Sequence, residues 1–298
     1  VDFSVVITTW NRPDSLAQCL DALAAQVYPP EAFEVVVVDD GSPTPLDERA
    51  VQRSGRNVRL VRQVNSGPAA GRNLGAQAAC GEWLAFTDDD CRPRPGWLAA
   101  MKRVLGTHPG ALVGGVTINA LKTNAYSQAS QSILDAAYRY FNPDPENARF
   151  FATDNLVVAR ERFLACGGLD VRFRVASEDR EFCERWLAGG GRIVTAEDAV
   201  VDHFHALTFR TFCRQHFQYG RGAAQFHRGR LGRLRRDVSF RWRVHDWLVR
   251  PVRESPNPVL AAGLVAAWQL ANTAGFFWES LRLPYRDPRP MSPTNLRN

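Results

Sequence analysis

Four polar clusters in this chain have residue types and spacings suited to chemistry: Thr8-Thr9, Asp39-Asp40, Asp88-Asp89-Asp90 and Ser177-Glu178-Asp179. Each of the first three closes an apolar run, Phe3 to Ile7, Val35 to Val38 and Trp83 to Thr87. Five carboxylates gathered from the second and third clusters would repel one another unless a cation or hydrogen-bond donors satisfied them. A hard divalent ion takes oxygen ligands and, when carboxylates hold it, commonly bridges substrate phosphates as well. The chemistry indicated is the handling of a metal diphosphate. Taken alone, Asp88 to Asp90 read equally well as a helix cap or a solvated loop, since aspartate favours both. The other clusters tip the reading toward a site.

Three further features carry weaker signals. Ser177-Glu178-Asp179 opens a helix, where acids are favoured by the dipole, so simple capping competes with a role for Asp179 as general base. His203 and His205 stand two apart on an extended segment and so face one side, where either could complete a metal site or meet a diphosphate. His203 is preferred. The run Asn65 to Gly75 is small-residue-rich with one arginine, Arg72, which could reach phosphate or carboxylate; a packing helix with Arg72 exposed is the alternative.

Positioning these residues requires particular elements. Phe3 to Thr8 predicts a buried strand, Leu16, Leu20 and Leu23 a helix, and Val35 to Val38 a second strand, which together make a βαβ unit with a parallel sheet. Further strands are expected at Val58–Val61, Trp83–Thr87, Leu112–Ile118, Phe151–Val158 and Arg192–Thr195, with helices from Gly67 to Ala79, from Trp97 and from Glu178 to Leu187. Asn119 to Phe150 gives no legible element. In an open α/β sheet, ligands bind outside the carboxyl ends of the strands. The clusters therefore converge on one rim.

The whole sequence agrees with an enzyme of this class. Its 298 residues suffice for a large α/β domain with an appendage, and 45% hydrophobic with 23% charged residues excludes a disordered chain or a polytopic membrane protein. Six scattered cysteines without a C-x-x-C pair, and no basic-then-apolar leader, predict a reduced cytoplasmic setting. Trp10-Asn11-Arg12-Pro13 stands where a dinucleotide-binding chain would carry G-x-G-x-x-G, which argues against a dehydrogenase.

The stretches Val6 to Arg12, Val37 to Ser42, Gly67 to Gly75, Phe86 to Asp90, Gly167 to Asp170 and Glu178-Asp179, in this order, resemble glycosyltransferase family 2, inverting enzymes of the GT-A fold. The resemblance implies a Rossmann-like, nucleotide-sugar-binding mixed sheet flanked by helices over residues 1–207, with a helical extension over 208–298. It implies that Thr8 and Asp40 contact the base, that Asp88 and Asp90 form a D-x-D motif for metal and diphosphate, and that Asp179 is the catalytic base. Thr9, Asn11, Arg12, Asp39, Arg72, Asp89 and Glu178 complete the expected donor site, and His203 joins Asp88 and Asp90 as an expected ligand of Mn²⁺ or Mg²⁺. Which aspartate of the triplet touches the ion is left open. The donor would be a UDP-, GDP- or dTDP-sugar and the acceptor a glycan or lipid-linked hydroxyl of the cell envelope. The Q-x-x-R-W motif of processive members is absent, so transfer of a single sugar is expected. A carboxylate-metal phosphohydrolase and a noncatalytic nucleotide-sugar-binding module are the competing readings.

Net charge is +6, but residues 210–253 alone carry twelve arginines against Asp237 and Asp246, so this segment holds +10 and the remainder −4. Residues 259–278 contain no charge and could just span a bilayer, though Gln269, Asn272 and Thr273 favour an interfacial helix. A core or dimer helix is the alternative. Residues 208–285 are thus expected to meet an anionic membrane surface, peripherally at the inner face of the cell membrane. No nucleic-acid-binding motif accompanies the arginines, so no nucleic-acid partner is expected.

Overall fold

The computed structural model describes residues 1–47, 51, 57–228, 249, 252 and 257–282. The expected arginines Arg230, Arg233, Arg235, Arg236, Arg241, Arg243, Arg250 and Arg253, with Trp242, Trp247 and Leu248, lie outside the described residues.

The first half builds as its apolar pattern dictates. β1 (Phe3–Thr9), β2 (Phe33–Asp39), β3 (Val58–Arg62) and β4 (Trp83–Asp88) pair in parallel, with β1 between β2 and β4. Helix α1 (Pro13–Ala24) begins on a proline, whose fixed φ suits the first helical position, and buries Leu16, Leu20 and Leu23. Helix α2 (Pro68–Ala78) begins the same way. A Cβ on Gly71 would fall 2.4 Å from Thr8 Cγ2, and one on Gly75 2.4 Å from Val6 Cγ1, so these glycines let α2 settle directly on β1. Their role is helix-to-sheet packing rather than approach to a ligand.

Beyond β4 the sheet becomes mixed. β5 (Cys91–Pro93), α3 (Trp97–Thr107) and β6 (Leu112–Asn119) lead to α4 (Ala125–Phe141), β7 (Asn155–Ala159) and the short α5 (Arg160–Ala165). Then come α6 (Glu178–Ala188), β8 (Ile193–His203), α7 (Phe209–Arg228) and α8 (Pro258–Arg282). The eight strands run in the order β3-β2-β1-β4-β7-β6-β8-β5, with β7 antiparallel to both neighbours. Core clusters lie on both faces, one around Phe3, Leu20 and Trp97, the other around Phe86, Phe163 and Trp186.

Two expectations need correction. The last strand does not stop at Thr195; a register shift between Gly115 and Val116 of β6 accommodates the polar stretch after Ala196 and carries β8 on to His203. His203 is therefore in the sheet rather than beyond it. The illegible region contains α4, a 17-residue helix whose Asn124 caps it by accepting from the backbone N–H groups of Tyr126 and Ser127. Its Ile133 and Ala136 pack on Val265 and Trp268 of α8, so the partners that define its buried face are more than a hundred residues away.

Candidate active site

Strand register brings the polar clusters together. Thr9 pairs with Asp39 across β1–β2, and Thr8 with Asp88 across β1–β4, so the three expected clusters form adjacent rows at the carboxyl ends. On the far side of β4, the antiparallel ladder ends at Thr87 opposite Asn155, and Asp154, just before β7, feels the charge of Asp88, just after Thr87. Asp154 belongs to no motif singled out from the sequence.

The triplet divides its work. Asp89 is buried and fixed: Thr9 Oγ1 donates to Oδ2 at 2.6 Å and Arg12 Nη1 to Oδ1 at 3.1 Å. Burial, against the opposing pull of Thr9 and Arg12, pushes its pKa up to about 6. Asp90 takes a second bond from Arg12 Nη1 at 2.9 Å and lies 3.3 Å from His203 Nε2. Burial opposes its charge, yet the His203 hydrogen bond and charge prevail and hold the carboxyl well below the usual range. Asp88 is the most open of the three, with 32% of its side chain exposed, and accepts from Arg72 Nη2 at 2.6 Å.

Arg72 is buried rather than exposed, which excludes the solvent-facing alternative. It bridges two carboxylates, donating from Nη1 to Glu178 Oε1 at 2.9 Å as well as to Asp88. Burial works against the charge of the guanidinium, but Asp88 and Glu178 outweigh it and raise its pKa. Glu178 therefore turns inward as the partner of Arg72. Asp179, next to it at the start of α6, is half-buried, and its Oδ1 accepts from the backbone N–H of Arg180. Burial first, then the neighbouring Glu178 charge, lift its pKa to about 7. Ser177, in a left-handed conformation at φ 76°, makes no side-chain cap, and it is Asp179 that satisfies a free N–H of the helix start while Glu178 is taken up by Arg72.

The base-side residues are more self-contained. Asp40 accepts from Gln63 Nε2, Ser66 N–H and Gly67 N–H, which pins the loop leading into α2. Asp39 Oδ1 accepts from the Ser42 N–H, and Asn11, at φ 55°, donates its backbone N–H to Ser42 Oγ. Thr8 Oγ1 is buried with no hydrogen-bond partner among the described residues.

His203 and His205 stack with centroids 4.9 Å apart and planes within 17°. They are not equivalent. Burial lowers both, but Asp90 lifts His203 to about 9, while burial and the adjacent His203 charge depress His205 to about 4. The donor atoms of Asp90, Cys91 and His203 lie within 4.8 Å of one another. Cys91 is fully buried, and burial raises its thiol well above the ordinary value, which leaves Asp90 and His203 as the oxygen and nitrogen donors of this group, with His203 free to ligate once its proton is displaced.

This geometry meets its counterpart in known proteins. A profile described as Glycosyl transferase family 2 matches residues 4–179. The chain belongs to glycosyl transferase family 2. A relative described as a pre-mycofactocin glycosyltransferase of Mycobacterium tuberculosis is 28% identical over 228 residues, 75% of this chain and 47% of that protein. Glycosyltransferase AglE of Haloferax volcanii is 27% identical over 226 residues, 74% of this chain and 73% of that one. The family 2 chain thus spans about half the length of the mycobacterial relative.

Its GT-A fold agrees with that of the mannosyltransferase PcManGT from Pyrobaculum calidifontis in complex with GDP-Man and Mn²⁺, at 20% identity and TM-score 0.62, covering 94% of this chain and 87% of that one. Residues 1–349 of S. aureus TarS in complex with UDP align at 17% identity and TM-score 0.54, covering 96% and 93%. At these identities the likeness speaks for the fold. The matched span of the family profile ends on Asp179, so the triplet, Glu178 and Asp179 fall inside it, while His203 and His205 fall outside.

Proposed function

We propose that this chain is an inverting glycosyltransferase that moves one sugar from a UDP-, GDP- or dTDP-sugar to a hydroxyl of a glycan or lipid-linked acceptor of the cell envelope. The observation that carries the reading is Asp179: a half-buried carboxylate within the field of Arg72, the arginine that holds Asp88 of the triplet, with a pKa lifted to about 7, where a general base works best near neutrality. The acceptor O–H gives its proton to Asp179, its oxygen forms the bond to the anomeric carbon, and the bond from that carbon to the diphosphate oxygen breaks. The nucleoside diphosphate leaves with the electron pair, and attack opposite the leaving group inverts the centre.

Asp90 and His203, with Asp88 beside them, would hold a divalent ion, Mn²⁺ or Mg²⁺, whose chemistry when bound is neutralisation of the diphosphate charge. Arg72 keeps Asp88 and Glu178 in place, and Arg12 braces Asp89 and Asp90. Thr8, Thr9, Asn11, Asp39 and Asp40 form the side of the rim assigned to the nucleotide.

Residues 208–298 act in this reading as a helical extension that rests on the inner face of the cell membrane. On α8, Val259, Gly263, Ala266, Leu270, Ala274, Phe277 and Leu281 make one exposed, uncharged row at helical spacing, on a helix long and apolar enough to cross a membrane by length and composition. The arginines of 210–253 supply charge complementary to anionic lipid. Co-sedimentation with anionic liposomes should be strong for the full chain and lost for one ending near Asn257; equal binding removes the membrane role. For the chemistry, nucleoside diphosphate release from sugar donors is measured with and without acceptor and Mn²⁺. Acceptor-dependent release supports transfer. Acceptor-independent phosphate release indicates a phosphohydrolase, and donor binding without turnover a binding module.

A further inference from the structure

Asp154 is an acid that the reaction as described does not use. It is 6% exposed, and its Oδ1 is buried with no hydrogen-bond partner among the described residues. Asp154 and Asp88 are the residues next to the Thr87–Asn155 pair that ends the ladder, and the charge of Asp88, which Arg72 holds, is felt at Asp154.

Its electrostatic neighbours come from both ends of the site. His203, Asp88 and Asp90 act on Asp154 from one side. Asp154 in turn acts on Asp179 and on the phenol groups of Tyr138 and Tyr219 on the other. A buried carboxylate oxygen without a donor is unfavourable; the nearby aspartates can only accept, and the neighbouring Thr117 hydroxyl has a single O–H to offer a carboxylate that can accept several hydrogen bonds. A ligand group that donates hydrogen bonds would relieve it.

The diphosphate is not that group, because it too only accepts and carries the same sign of charge. In a direct displacement, however, the anomeric carbon is bonded to the diphosphate on one side and attacked from the other. The transferred ring must then lie between the triplet and Asp179, and Asp154 is the acid in electrostatic contact with both. Its free hydroxyls are neutral donors, and a carboxylate can accept from two of them.

We infer that Asp154 is a specificity-determining residue that accepts hydrogen bonds from hydroxyl groups of the sugar being transferred. This rests on the donor reading proposed above. It assigns to this chain a contact that separates sugar recognition from recognition of the nucleotide.

Calorimetric titration tests it, using UDP, GDP, UDP-glucose, UDP-GlcNAc and GDP-mannose with Mn²⁺, on the full chain and on Asp154→Asn and Asp154→Ala. Removing the charge should leave the free nucleoside diphosphate bound as well as before or tighter. The same change should weaken the preferred nucleotide-sugar about ten- to hundredfold, the scale of lost hydrogen bonds to a charged group. The asparagine variant, close in shape, should lie between wild type and alanine. A purely structural role would weaken both kinds of ligand together, and that result, or an unchanged ratio between them, overturns the assignment. If the wild-type chain binds none of the five ligands, the donor reading fails first and takes Asp154 with it.

Discussion

The proton acceptor gives the sharpest quantitative prediction. With the Asp179 pKa lifted to about 7, the carboxylate is charged in roughly one-tenth of molecules at pH 6 and about nine-tenths at pH 8. The base must be ionised to accept the proton, so single-turnover rate should rise about tenfold across that interval, with one proton's slope and a midpoint near 7. Two substitutions check the origin of the shift. Asp179→Asn abolishes the midpoint and lowers turnover by about 10²- to 10⁴-fold while donor binding stays near normal. Glu178→Gln removes the second cause of the shift after burial, so its profile moves toward acid. The assay is nucleoside diphosphate release at saturating donor and acceptor, under single-turnover conditions so that product release does not mask the chemical step. A rate independent of pH between 6 and 8, or an Asp179→Asn variant that keeps most of its turnover, would refute the assignment.

Other substitutions probe the frame around the site. Arg72→Met leaves Asp88 and Glu178 facing each other without their shared cation and should cost about 3–5 kcal/mol of stability, read by denaturant unfolding. His203→Ala should weaken Mn²⁺ binding at least about tenfold, followed by electron paramagnetic resonance, whereas His205→Ala should change it little, because only His203 lies against Asp90. A Cβ on Gly275 of α8 would fall 1.9 Å from the Phe217 carbonyl of α7, so Gly275→Val should separate these helices at a cost of about 1–3 kcal/mol or more. Limited proteolysis should then cut α8 sooner in the variant than in the parent chain.

Much of the site's position was legible in the sequence because it follows from local pattern. Apolar runs ending in Thr8-Thr9, Asp39-Asp40 and Asp88 to Asp90 place those residues at strand ends, and short strand-helix-strand connections make the strands parallel. The rim follows from these two facts. The acid pair at the start of α6 was legible for the same reason, since a helix start is a local signal.

The division of roles among those residues needed the tertiary structure. Asp88, Asp89 and Asp90 are alike in sequence and differ only through Arg72, Thr9 with Arg12, and His203, which arrive from other elements. Arg72 could be read as exposed or buried until Glu178, 106 positions away, was seen to meet it. Helix α4 had no visible apolar partner because Val265 and Trp268 come from α8. Asp154 gave no signal at all. Its importance comes from an antiparallel register between β4 and β7 that ends at Thr87 and Asn155 and so leaves it close enough to Asp88 to feel its charge. A sequence specifies which residues stand at the end of a strand; which strand lies beside it, and in what register, is fixed only when the sheet closes and distant side chains become neighbours.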